Sequence, residues 1–265
     1  MRANKAKVYY EVAKFNFYRI LAYPWEIVAF FVSRIIILGF LAIFWYAISK
    51  SNRGSFDFRQ LTAYFLVAQS VRDLTFSTST RLGNVIRKTI KYGEINNVLI
   101  KPVSEIKFLL AEFIGENGAQ IFFAILGLIA GLVILPPKNV SNLIGFALFL
   151  ILTFLISIGI NIYIGLLAFH SPEAGGIQNV FNNFNRVLCG TLIPLVYFPE
   201  FWRKMLMFTP FPALAFTPTY ILQNQLGFSQ IFQIFAVGIF WAVFLIFSSN
   251  YFWKKSLKKY EGIGI

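Results

Sequence analysis

Six long apolar runs, separated by unevenly basic segments, organise the chain; they cover residues 25–48, 60–80, 108–135, 143–169, 177–198 and 228–253. Each holds the ~20 residues an α-helix needs to cross a hydrocarbon core of ~30 Å. A water-soluble fold of 265 residues cannot hide six such helices, because its own surface would have to be mostly apolar. The pattern predicts an all-α polytopic membrane protein, with one transmembrane domain over residues 1–265 and six transmembrane helices.

Three segments do not read as simple spans. Residues 5–23 mix Lys5, Lys7, Lys14 and Arg19 with Tyr9, Tyr10, Phe15, Phe17, Tyr18 and Ile20. That mixture suits an N-terminal interfacial helix (1–24) lying in the cytoplasmic headgroup layer, or else an unstructured basic anchor. Between the second and third runs, residues 83–98 place Val85, Ile86, Thr89 and Ile90 on one helical face and Arg87, Lys88 and Lys91 around the other. Lys101-Pro102 stops that helix, since proline lacks an amide donor and restricts its predecessor. An amphipathic helix projecting from the membrane needs cover for its apolar face, and the membrane surface and a partner protein serve equally. Five of the ten prolines fall in 194–218, interleaved with aromatic residues. This segment is too apolar for a solvated loop and too broken for a span, so short re-entrant helices in the outer leaflet are expected.

Basic residues set the orientation. The N-terminal segment, the 81–107 loop, the 170–176 turn and the tail hold five, six, no and four Lys and Arg; the alternate loops hold only three, one and two. The positive-inside bias places both termini and the 81–107 loop in the cytoplasm, as expected for a multi-pass protein of the cell inner (plasma) membrane. The formal net charge of +13 therefore reads as topology and attraction to anionic lipids, not as nucleic-acid binding.

Arg34, Arg72, Asp73, Glu112, Glu116 and Arg186 fall inside predicted spans, where each is costly unless paired or hydrated. Their similar depth predicts an ion-pair cluster in the cytoplasmic half, with Arg72 partnered by Glu112 or Glu116; snorkelling to the interface is the alternative. Asn179, Asn182, Asn183 and Arg186 form a polar stripe on the fifth run, continued by Gly190, that suits either a pathway lining or interhelical packing. Gly127 and Gly131 form a G-x-x-x-G match, which usually means only close helix packing.

Several functions are excluded. The longest non-spanning segments, about thirty residues, leave no room for a nucleotide-binding domain, and no G-x-x-x-x-G-K-[ST] occurs. The single Cys189 and single His170 build neither a disulfide framework nor a metal centre, and the N-terminus lacks a signal-peptide pattern. No G-x-S-x-G or H-E-x-x-H motif and no paired aspartates occur, so the chain is not expected to be an enzyme.

Across its whole length the chain resembles the membrane permease of an ABC exporter of the ABC-2 type. The resemblance rests on Tyr18-Arg19, on Ile90-Lys91-Tyr92-Gly93-Glu94-Ile95-Asn96-Asn97-Val98-Leu99-Ile100-Lys101-Pro102, and on Leu192-Ile193-Pro194-Leu195 with Phe198-Pro199. It rests further on Thr209-Pro210-Phe211-Pro212, on Thr217-Pro218 and on Lys258-Lys259-Tyr260-Glu261-Gly262. The resemblance implies that two permease chains, identical or not, pair and dock two cytoplasmic ATPase subunits, which carry the ATP and Mg; the permease itself binds no cofactor. It implies that the loop after the second span is the coupling helix, with Ile86, Ile90, Gly93, Glu94 and Pro102 at the contact. It implies too that 199–228 closes an outer gate, with Phe208, Phe211 and Phe216 as its plug. Importer permeases carry an E-A-A, three residues, then Gly loop; here Glu173-Ala174-Gly175 is followed by Asn179 where the Gly belongs, which favours export. Lipophilic or amphipathic cargo suits the aromatic walls. A stand-alone secondary transporter or channel is the alternative; it needs midplane carboxylates or an inverted repeat, and no clear repeat is visible.

Overall fold

The computed structural model describes residues 5–51, 57–101, 103–169, 174–224 and 226–258, and all regular structure among them is helical. Twelve α-helices follow in order: α1 (Lys5–Leu21), α2 (Pro24–Ser51), α3 (Phe58–Arg72), α4 (Thr78–Lys91), α5 (Ile95–Leu99), α6 (Glu105–Glu116), α7 (Gly118–Ile134), α8 (Val140–Leu166), α9 (Ala174–Leu188), α10 (Glu200–Met207), α11 (Phe216–Gln223) and α12 (Phe228–Leu257). Pro102, His170, Glu173 and the tail motif beyond Lys258 lie outside the described residues.

The first, fourth and sixth apolar runs become single helices long and apolar enough to cross a membrane, at Pro24–Ile48, Val140–Phe169 and Phe228–Leu257. The other three runs depart from straight spans, each for a local reason. The third is broken into α6 and α7, which meet at 65° and together make a fourth crossing if the pair is one span. The bend falls at Asn117, whose side chain folds back to donate 2.8 Å to the Phe113 carbonyl and so closes α6. On either side of the bend, α1 packs so closely that a Cβ at Gly115 would overlap the Ala13 backbone, and one at Gly118 the Phe17 ring.

The second run continues past its expected end. α3 passes through a π-helical turn, Asp73–Ser77, into α4, so the expected span and the expected loop helix form one rod from 58 to 91. A π-turn disturbs the i→i−4 ladder, and here the neighbouring α8 supplies a donor: the Ser157 hydroxyl bonds the Thr75 carbonyl at 3.1 Å. The fifth run forms a short helix, α9, of 15 residues. α9 ends at Leu188, because Gly190 takes φ +81° and Pro194 follows. Its 15 residues span roughly 22 Å at 1.5 Å per residue, less than a hydrocarbon core, so the expected uninterrupted span 177–198 is not one helix.

α8 is the centre of the packing, with α12, α4 and α11 against it. Close approach is made possible by small residues: a Cβ at Gly159 would meet Leu245 at 2.6 Å, and one at Gly165 would meet Ile86 at 2.6 Å. The G-x-x-x-G of α7 has the same use against α3, where Gly127 faces Ser70 and Gly131 faces Val67. Two main apolar cores result. One gathers Trp45, Phe65, Phe149, Leu195, Leu214 and Phe216; the other gathers Leu82, Ile86, Ile95, Phe113, Ile162 and Trp253.

Candidate functional site

The α4–α5 segment is an elbow with one buried and one exposed side. Ile86 and Ile95 are 0% exposed, and Ile90 and Val98 are buried beside them in the core that includes Leu109 of α6 and Ile162 and Leu166 of α8. The cover for this amphipathic face is thus the chain's own helices, not the membrane surface or a partner. The chain reverses at Tyr92–Glu94, where Gly93 adopts φ +72°, a conformation most side chains resist. Tyr92 is 67% and Ile100 81% exposed, and Lys88, Lys91, Glu94, Asn96 and Asn97 are exposed around them. Of the residues expected at a coupling contact, Gly93 and Glu94 are therefore at the tip, whereas Ile86 and Ile90 anchor the tip from within. The Lys101 ammonium sits 4.0 Å from the centre of the Phe108 ring, tying the far side of the elbow to α6.

The expected single ion cluster is divided into two. On α6, Glu116 is bound by Arg19 of α1. Glu112, one turn earlier, lines a groove of about 640 Å³ between α1 and α6 with Lys7, Glu11 and Arg19. The second group lies at the π-turn. Arg34 of α2 donates to the Asp73 carboxylate and stacks its guanidinium 4.9 Å from the Phe30 ring. Gln69 donates to the same carboxylate at 3.1 Å. Arg72 is buried next to it, and Arg186 of α9 is within electrostatic reach of both Arg72 and Asp73. The pairing expected between Arg72 and Glu112 or Glu116 is not the one formed. The N-terminal helix, whose docking on α6 carries no periodic signal, takes Glu116.

On α9 the polar stripe is rotated from its expected place. Asn179 and Asn183 are exposed, Asn182 and Arg186 are half-buried, and the inward positions are Gln178 and Asn185, each 1% exposed. The spacing 178, 182, 185 is a helical face and could have been read from the amides alone. Next to this face, Ile177, Val180 and Phe184 form an exposed apolar strip.

Beyond α9 the chain folds into a cap. Its carbonyls, which no regular helix occupies, are taken up by side chains of the long helices. Tyr64 donates to Gly190 at 2.8 Å, Thr153 to Ala213 at 2.8 Å and Trp241 Nε1 to Phe208 at 2.8 Å. The three residues expected to plug an outer gate occupy three environments. Phe208 is exposed, Phe211 is half-buried with its ring 6.1 Å from that of Phe181 on α9, and Phe216 is buried, stacked 5.2 Å from Tyr220. On α10, Lys204 lies 2.6 Å from Glu200, and that hydrogen bond with the ammonium charge holds the Glu200 carboxyl below its ordinary pKa. Among the described residues, no group of three or more His, Cys, Asp or Glu could hold a metal ion.

Among curated proteins, none matches this chain. A family model described as ABC-2 family transporter protein matches residues 35–264, from the middle of α2 through the last helix and into the tail. That match covers the elbow and the cap, which carry most of the sequence resemblance, together with the π-turn and α9. Permeases of this family are generally non-catalytic membrane components that partner with ATPase subunits. With its long apolar helices and this match over most of its length, the chain is a multi-pass membrane protein that belongs to the ABC-2 family of transporter proteins.

Proposed function

We propose that this chain is the permease subunit of an ATP-driven exporter, working with a separate cytoplasmic ATPase that binds ATP and Mg. The crossings in this reading are α2, the α3–α4 rod, the bent α6–α7 pair, α8, α9 together with the segment that follows it to Phe198, and α12. Both termini and the elbow lie on the cytoplasmic side of the inner (plasma) membrane, where the basic residues concentrate. A second permease chain, identical or not, pairs with the first, and the exposed strip of Ile177, Val180 and Phe184 suits that contact. Cargo is lipophilic or amphipathic and leaves past the cap, with Phe208, Phe211 and Phe216 along its exit.

The observation that carries the reading is the construction of the elbow. The exposed residues Lys91, Tyr92, Glu94, Asn96 and Asn97 stand on Ile86, Ile90, Ile95 and Val98, which are buried among α6 and α8. A push on such a tip cannot be absorbed locally, because close-packed interiors transmit displacement instead of yielding to it. That is what coupling nucleotide binding to helix rearrangement requires. The reading is tested with the double variant Tyr92→Ala/Glu94→Ala. Transport-stimulated ATP hydrolysis should fall about ten-fold, the effect of losing one interface anchor, with the permease still inserted and equally heat-stable. Unchanged stimulation would place the docking site elsewhere.

A further inference from the structure

A cavity of about 460 Å³ lies between α10, α11 and the first turns of α12, and its walls change character along their length. The α12 wall consists of Gln230, Gln233, Ile234 and Val237. These positions are spaced as one helical face. Over roughly 10 Å of helix that face passes from two carboxamides to two branched aliphatic side chains. The α10 wall runs the same way in sequence, from Arg203 and Lys204 to Met207 and Phe208. The hydrogen bond from Trp241 to the Phe208 carbonyl fixes the apolar end of α10 beside the apolar end of the α12 wall. No carboxylate is among the lining residues, and Glu200, which pairs with Lys204 and also feels the Arg203 charge, leaves the two cations one net positive charge. On the other face of α10, Phe201, Trp202 and Met205 are exposed. A tryptophan such as Trp202 settles at the level of the lipid headgroups.

We propose that this cavity is a binding site for one anionic phospholipid of the surrounding leaflet, resident at the edge of the cap. Its phosphate sits on Arg203, with Lys204, shared with Glu200, beside it; its glycerol and ester oxygens accept from the Gln230 and Gln233 amides, and the upper part of one acyl chain lies along Ile234, Val237 and Met207. The charge of the mouth selects an anion. Two walls that both run from polar to apolar select an amphiphile over a small ion, which would have no use for the apolar half. The open side lets the remaining chain stay in the bilayer. The bound lipid would wedge α10 against α12 and so hold the cap in place.

Native mass spectrometry of the full-length chain in mild detergent, mixed with equal dioleoyl phosphatidylglycerol and dioleoyl phosphatidylcholine, tests this. One phosphatidylglycerol per chain should be retained about ten-fold over phosphatidylcholine, the ratio expected from a set of charge-assisted hydrogen bonds. Arg203→Gln should remove most of that preference and Arg203→Lys should keep most of it. Val237→Trp, which fills the apolar half, should expel both lipids; if that variant does not stay monodisperse, Gln233→Leu is read instead and should lower retention. Lys254→Gln/Lys255→Gln at the opposite end of α12 should change nothing. Equal retention of the two lipids, or a preference that survives Arg203→Gln, overturns the proposal. So does a preference that disappears only in the Lys254/Lys255 variant. Displacement of the lipid by an equal concentration of dodecyl phosphate would mean a site for a single-chain amphiphilic cargo and would equally overturn a resident lipid.

Discussion

The elbow and the cap both interrupt their helices, but they do so in opposite ways. At the elbow the interruption is one turn at Gly93, after which helix resumes, and apolar side chains on both sides of the turn enter the same core. In the cap the interruption runs from Gly190 to the start of α12, with Pro210, Pro212 and Pro218 buried inside it. There Leu195, Leu214 and Phe216 also enter the core, and the freed carbonyls take hydrogen bonds from Tyr64, Thr153 and Trp241, with the Cys189 carbonyl taking one from the Phe216 amide at 3.0 Å. Irregular backbone at membrane depth persists only where protein satisfies it in this way. The difference separates two mechanical roles. The elbow is a stiff extension of the core, suited to passing on force, whereas the cap adds to its buried Leu195, Leu214 and Phe216 a set of polar contacts that can be exchanged one at a time.

The largest effect should come from the buried side of the elbow. Ile86→Asp puts a carboxylate at a site with no exposure, packed against Gly165, and belongs among the most destabilising single changes, roughly 4–5 kcal/mol. Size-exclusion profiles of the purified variant should show loss of the folded chain; an Ile86→Asp chain that folds normally and merely fails to bind its ATPase would put the apolar face outside the core. Next in size is the Arg34–Asp73 pair at the π-turn. Arg34→Met alone should cost about 3–5 kcal/mol, by leaving a buried carboxylate short of a cation, and Arg34→Met/Asp73→Leu should recover most of that loss. Thermal unfolding in detergent measures both, and simple additivity would contradict the pairing.

Smaller effects belong to the cap. Thr153→Val leaves the buried Ala213 carbonyl without its 2.8 Å donor and should cost about 1–3 kcal/mol. If the cap is held by such contacts, proteolysis within 199–224 should speed up in this variant with little change elsewhere. Phe208→Ala should change thermal stability by no more than about 0.5 kcal/mol, because the ring is exposed and exposed truncations seldom matter to folding.

Much of this is legible in the sequence, and the misses have definite causes. The runs at 25–48, 143–169 and 228–253 become α2, α8 and α12 because nothing inside them interrupts an apolar helix. The amphipathic face of 83–98 is legible, but not what covers it, since periodicity shows that a face must be buried and not by which neighbour. The bend has a local signal in Asn117-Gly118, but the packing of α1 over Gly115 and Gly118 is a long-range contact that spacing does not show. The π-turn follows Asp73 into a stretch rich in Ser and Thr, which compete locally for backbone hydrogen bonds, yet a shift from an α to a π turn is not encoded in spacing. Charge depth places Arg34, Arg72, Asp73 and Arg186 near one another, while the choice of partners depends on α1 taking Glu116.

The central claim is that the elbow tip, and not the cap, meets the ATPase. A photo-crosslinking residue placed at Tyr92 or at Phe208, both exposed, tests this in membranes that hold the permease with its ATPase. Illumination should give a permease–ATPase adduct from position 92 and none from position 208. An adduct from position 208, or none from position 92 in an assembled and hydrolysing complex, would contradict both the docking site and the orientation.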